Sequence, residues 1–177
     1  LPTNDAATVD ALTNRLGLDP AAVFELKWAE GQAPSADCGA PLRHVRCPAS
    51  VKDALTHAVD VTSQPRKSLL RVLAEACTDA GERRDLLALC SKGGRDEYKA
   101  RCGDECPSLL DLLRSHPSCK PGWAELLDAL QPLQPRMYSI TSAPEAHGGV
   151  PAVAFSVVKF ATPSGAQREG VATNWLD

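Results

Sequence analysis

The sequence predicts an α+β protein: a mostly helical first part followed by a short antiparallel β part. Three observations carry this. Apolar residues recur at helical spacing through roughly the first 130 positions. β-Branched and aromatic residues concentrate after Pro135. Helices precede strands instead of alternating with them, which argues against a doubly wound parallel sheet. No internal repeat is visible, and 177 residues suit one domain or one domain with a large insertion.

The elements are read in chain order. Asn4 or Asp5 can cap a helix with Val9, Leu12 and Leu16 on one face, ended by Gly17. Asp19-Pro20, a cap followed by proline, predicts a second helix carrying Val23, Phe24 and Leu26. Residues 29–41, rich in Gly, Pro, Ala and Ser, read as a loop. Ser50-Val51-Lys52-Asp53 resembles a capping box with Asp in place of Glu, opening a helix through Leu55, Ala58 and Val59. Pro65 starts another, with Leu69, Leu70, Val72, Leu73 and Ala76 facing inward. The next holds Leu86, Leu87, Leu89 and Cys90 until Gly93-Gly94. Pro107 and Pro117 bracket Leu109 to Leu113, and Pro121 begins a last helix with Leu126, Leu127 and Leu130. Tyr138 to Thr141 and Val153 to Phe160 read as strands, Pro163-Ser164-Gly165 as a turn, and Gly170 as the start of a helix running to Leu176.

Composition excludes several function classes. Hydrophobic residues make up 44% and charged residues 23%, which suits a packed core rather than disorder. The net charge of −3, with signs interspersed, argues against a nucleic-acid surface. No apolar run approaches the ~20 residues that span a bilayer. Leu1 to Asp5 lacks the basic start and apolar stretch of a signal peptide, and with no initiating Met it reads like the middle of a protein. Seven cysteines, an odd number, point to reduced thiols and a cytoplasmic location, with Cys77 and Cys90 as buried apolar side chains. Cys102-x-x-x-Cys106 lacks the second pair a zinc site needs, so no metal is expected. His44, His57, His116 and His147 are scattered without partners and read as exposed or packed. No hydrolytic triad or carboxylate pair stands out.

Two stretches carry chemistry. In Arg136-Met137-Tyr138-Ser139, a strand would place Arg136 and Tyr138 on one face and Ser139 on the other. A guanidinium pairs with phosphate oxygens through charge-assisted bonds, and a tyrosine ring can cover a flat heterocycle. In Gly170-Val171-Ala172-Thr173, small residues let backbone amides at a helix start approach an anion. Taken singly, the first is more often a surface pair and the second a plain helix cap.

In this order, with strands between them, the two stretches resemble the FAD-binding signature of the ferredoxin–NADP reductase superfamily. The string Leu133 to Pro144, and Gly170 to Leu176, are similar to diflavin reductases in particular. Pro2-Thr3-Asn4-Asp5 resembles the family's Pro-x-Asn segment at the end of an early barrel strand. Ala54 through Thr62 followed by Pro65 resembles its "ALTxxxDxTxxP" stretch. Leu89 to Gly94 and Cys106 to Cys119 look like the methionine synthase reductase branch, and Gly170 to Trp175 like the microsomal branch.

The resemblance implies a helical connecting region at 1–130 joined to part of an antiparallel FAD-binding β-barrel at 131–177. It implies that Arg136 contacts the FAD pyrophosphate, Tyr138 stacks on the isoalloxazine, and Ser139 lies by its reactive nitrogen as the catalytic side chain. Ala154, Phe155 and Ser156 would line the ligand, Phe160 would lie near the adenine, and Gly170, Val171, Ala172 and Thr173 would bind phosphate. Cys106 departs from the pattern, standing where the microsomal branch has a flavin-contacting arginine. NADPH and FMN would bind outside this chain, on an NADPH domain and a flavodoxin-like domain, with a redox acceptor protein beyond. Because the first barrel strands and the NADPH domain are absent, the chain alone is expected to be inactive. The alternative class is a non-catalytic scaffold derived from this fold.

Overall fold

The computed structural model describes residues 3–27, 44–146 and 148–177. Helix α1 (Ala6–Leu16) begins where the Asp5 carboxylate accepts the Thr8 N–H at 2.9 Å. It stops at Gly17, whose φ of 66° lets its N–H reach back to the last-turn carbonyls. The helix predicted after Asp19-Pro20 does not form. Asp19 instead closes a turn, accepting the Ala21 N–H at 2.9 Å, and Val23–Phe24 form strand β1, antiparallel to β2 (Ala49–Ser50). Residue type explains the difference. A β-branched residue followed by an aromatic favours the extended form, and the Phe24 ring docks edge-on against Trp123 with centroids 5.5 Å apart.

Ser50 caps as expected, its hydroxyl accepting the Asp53 N–H at 3.0 Å. The helix is short, however. After α2 (Val51–Asp53) the chain widens into a π-helical stretch, Ala54–Ala58, and leaves as β3 (Val59–Asp60). Helices α3 (Lys67–Glu75) and α4 (Ala80–Cys90) pack on one another, and α3 also packs on α7 (Trp123–Ala129). Gly94 ends the turn after α4, since a Cβ there would lie 2.0 Å from the Ala88 carbonyl oxygen. Helix α5 (Arg95–Tyr98) follows, continuing as a π-helical turn over Lys99–Asp104 that no sequence pattern announced. Helix α6 (Leu109–Ser115) opens on a full capping box between Ser108 and Asp111. Leu12, Leu55, Leu70, Leu73, Leu86, Leu89, Leu113 and Leu126 are all essentially inaccessible and form one core across these helices. Each such leucine contributes about 1.5–3 kcal/mol of burial.

The strands are shorter than the sequence predicts. β4 (Gln131–Pro132) pairs with β3, and β5 (Lys159–Ala161) forms a hairpin with β6 (Gln167–Glu169), before helix α8 (Val171–Leu176). The predicted turn holds: Gly165, at φ 86°, donates to the Thr162 carbonyl at 2.8 Å. Of the expected strands at 138–141 and 153–160, only the Ile140–Val153 bridge and β5 have ladder partners. Three two-stranded antiparallel pairs and no closed barrel are present among the described residues. β3–β4 and the hairpin contacts described below cross the division at residue 130.

His116 has partners after all. Its buried ring places Nδ1 2.9 Å from the Leu112 carbonyl and Nε2 3.0 Å from Asp85 Oδ2. Asp85 also receives a two-pronged ion pair from Arg101 at 2.7 and 2.8 Å. The Leu1-Pro2 reading, the whole 29–41 loop, Cys38 and His147 lie outside the described residues.

Candidate functional site

Residues far apart in sequence line one groove of about 970 Å³, within the range of small-molecule sites. One side comes from the helical body: Asn4, Asp60, Ser108, Asp111 and Arg114. The other comes from Phe160 on β5, β6, and the start of α8 at Gly170 and Val171, with Arg136 joining from the segment after β4. Leu133, 6% exposed and donating its N–H to Ala58 at 2.8 Å, anchors that segment and brings Arg136 to the groove. Among the described residues, the Arg136 guanidinium donates only to the Gln134 carbonyl, at 3.0 Å.

Gly170 has a packing reason to be glycine, because a Cβ there would fall 2.9 Å from Val158 Cβ and 3.0 Å from Thr173 Oγ1. Its N–H donates to the Val158 carbonyl at 2.8 Å, welding the start of α8 to the strand end. Thr173 tightens the same joint: it is buried, and its hydroxyl accepts the Val158 N–H at 3.0 Å. Ala172 is likewise buried. These two residues shape the helix start from inside, whereas Gly170 and Val171 face the groove.

The remaining sequence-predicted residues lie elsewhere. Tyr138 and Phe155 touch each other, ring centroids 5.9 Å apart and tilted by 58°. Ser139, Ala154 and Ser156 are exposed beside them, and none of the five lines the groove. The Ile140–Val153 bridge couples the two segments that carry them. The structure therefore gathers Arg136, Phe160, Gly170 and Val171 into one place and sets the Tyr138 to Ser156 group on an exposed neighbouring surface.

Sequence reasoning missed the contacts that build the groove. Arg168 on β6 forms an ion pair with Asp111 at 3.0 Å, and its Nε donates to the Glu105 carbonyl at 3.4 Å. The Glu105 carboxylate accepts the Ser164 N–H and hydroxyl at 2.9 and 2.5 Å. These bonds hold the hairpin on the helical body. The Ser164 hydroxyl keeps the Glu105 carboxyl below its usual range. Burial raises that of Asp111, but the Ser108 hydroxyl and N–H together with Arg168 and Arg114 outweigh it, and the net shift is downward. The Ser108-x-x-Asp111 spacing carries the local signature of a cap, which the sequence reading passed over in favour of Pro107; partners some sixty residues apart leave no local signal. Asn4, read from sequence as an alternative cap to Asp5 and by resemblance as part of the Pro-x-Asn segment, leaves the cap to Asp5 and turns inward instead. It is 2% exposed, its amide donates to the Leu55 and Val59 carbonyls at 2.6 Å, and its Oδ1 has no partner among the described residues.

Cys106 lines the groove with φ 42°, its thiol donating to the Gly103 carbonyl at 2.9 Å. No group of three or more His, Cys, Asp or Glu converges as a metal site among the described residues. No helix among them is long and apolar enough to cross a membrane.

The arrangement offers cations, exposed aromatic rings and a glycine-opened helix start around one cleft, a set suited to a nucleotide diphosphate. Comparisons with known proteins point the same way. The family model for the FAD binding domain matches residues 1–175. The chain is 33% identical to NADPH–cytochrome P450 reductase of Drosophila melanogaster over 99% of its own length and 25% of that protein's. It is 37% identical to methionine synthase reductase of Homo sapiens over 76% of its own length and 20% of that protein's. The chain thus spans about a quarter or less of the length of these relatives. With the match running nearly end to end, the chain belongs to the FAD-binding domain family.

Proposed function

We propose that the chain is the FAD-gripping part of an NADPH-dependent diflavin oxidoreductase. The observation that carries this reading is the groove itself, which joins Arg136, Phe160, Gly170 and Val171 from three separate segments in a chain whose family is the FAD binding domain. The residues fit the cofactor. Arg136, with no carboxylate partner among the described residues, supplies a cation to the pyrophosphate. Gly170 and Val171 present the α8 start to it, with Ala172 and Thr173 holding that turn in shape from behind. Phe160, 44% exposed, offers its ring to the adenine. Tyr138 supplies a stacking face for the isoalloxazine, with Ser139 near the reactive nitrogen and Ala154, Phe155 and Ser156 along the same surface.

When bound, FAD supplies hydride and electron transfer between NADPH and FMN, while the protein supplies orientation and electrostatics. Residues 1–130 serve as the connecting region and 131–177 as part of the FAD barrel. An FMN domain, an NADPH domain and an acceptor protein complete the electron path, and free thiols fit the reducing cytoplasm. The test is FAD titration of the deflavinated full-length protein beside Arg136→Ala. A charge-assisted bond to phosphate is worth ~1.5–3 kcal/mol, so FAD binding should weaken about tenfold or more. Equal affinity would remove Arg136 from the site, and no FAD in either protein would favour a scaffold.

A further inference from the structure

The charges around the groove are unevenly matched. Four acidic residues line it, and each is engaged within the protein. Asp5 caps α1 through Thr8. Asp60 accepts the Thr62 and Ser63 N–H groups. Asp111 closes the α6 capping box and pairs with Arg168. Glu169 pairs with Lys159 at 3.3 Å. Of the three arginines lining the groove, Arg168 is therefore neutralised in place. Arg136 and Arg114 are not: neither has a carboxylate within ion-pair distance among the described residues.

Arg114 is in the last turn of α6, where a cation commonly serves to stabilise the helix end. Here that role is already filled. The Arg15 guanidinium donates to the carbonyls of Leu113, His116, Pro117 and Cys119 at 2.8–3.2 Å. Arg114 is thus an exposed cation on the groove that acts on Asp111 only at longer range and has no direct ion pair among the described residues. The thiol of Cys106, also on the groove, is turned to the Gly103 carbonyl.

We infer that Arg114 is a second phosphate-binding residue, acting with Arg136 on the diphosphate of the bound nucleotide. A diphosphate carries two charges that one exposed guanidinium matches incompletely, and a pair of arginines from separate segments grips it from two directions. The inference rests on the FAD reading above and names a specificity-determining residue within it. Arg168 is a positioning residue in the same site, holding β6 against α6.

The experiment titrates FAD into the deflavinated full-length protein, following quenching of flavin fluorescence at low and high salt. Arg114→Gln and Arg114→Lys are compared with Arg83→Gln, which removes an exposed arginine on α4 away from the groove. Arg114→Gln should weaken FAD binding roughly tenfold, the low end for a charged hydrogen bond at an exposed site. Its affinity should also fall less steeply with salt than that of wild type. Arg114→Lys should recover part of the loss, and Arg83→Gln should match wild type. Unchanged melting temperature in Arg114→Gln separates a binding role from a folding one. Arg114→Gln binding FAD as tightly as Arg83→Gln, with the same salt dependence, overturns the inference while leaving the FAD reading intact. Absence of FAD binding in wild type overturns both.

Discussion

The hairpin clamp yields the most direct test of how the groove is held open. Arg168→Met keeps the apolar stem and removes both the Asp111 ion pair at 3.0 Å and the Nε bond to the Glu105 carbonyl at 3.4 Å. The Arg168 side chain is 25% exposed and that of Asp111 35%. A hydrogen bond to a charged group is worth ~1.5–3 kcal/mol in a protected setting, and partial exposure screens it, leaving about 1–2 kcal/mol. That corresponds to roughly a 5–30-fold rise in local opening. The loss should be confined to the hairpin, because the core leucines are untouched. Hydrogen–deuterium exchange read by mass spectrometry should show faster exchange across β5 and β6, residues 159–169, with α3 and α4 unchanged. Equal protection of the hairpin in both proteins, or uniform loss across the whole chain, would refute the clamp. Lowering the pH gives the same result by another route. Asp111 and Glu105 both have depressed pKa values in the folded protein. Their contribution is therefore complete above the unfolded carboxylate range and is lost as pH falls through the folded values.

Three further outcomes are expected. Asp85 is held down to about 2 by its hydrogen bonds from Arg101, with His116 adding to the effect against burial, so its stabilisation is present above about pH 4 and disappears towards pH 2. Asp85→Asn should lower the melting temperature at pH 7 and flatten this acid dependence; a wild-type-like acid profile in the variant would contradict it. Burial pushes the thiols of Cys102 and Cys119 up to about 11 and about 12, so native alkylation at pH 8 should label exposed Cys47 and spare these two. Under denaturing conditions without reductant, all seven thiols should titrate; fewer would show a disulfide.

Most of the helical part was legible because its causes are local. Asp5, Ser50 and Ser108 cap within three residues, Gly17 closes α1, and the leucines of α3, α4, α6 and α7 repeat at the spacing that buries them. The misread helix after Asp19-Pro20 failed because the same cap-and-proline pattern also starts a turn. Pairing with Ala49–Ser50 and the Trp123 ring, both distant in sequence, decided between them. The π-helical turns at Ala54–Ala58 and Lys99–Asp104 have no periodic signature, since they answer to the packing around them.

The site divides along the same line. Sequence alone determined which residue types are available: a guanidinium at Arg136, rings at Tyr138 and Phe160, and a glycine at the α8 start. It could not say that Thr173 turns its hydroxyl inward to Val158, or that His116 sits between Asp85 and Leu112. Nor could it show that Glu105 and Arg168 hold the hairpin in place, or that Arg114 lines the groove with no direct ion pair among the described residues. Caps and amphipathic spacing act over three or four residues, so the sequence displays them directly. Charge pairing and groove shape depend on side chains tens of residues apart, and only the tertiary structure decides which of them meet.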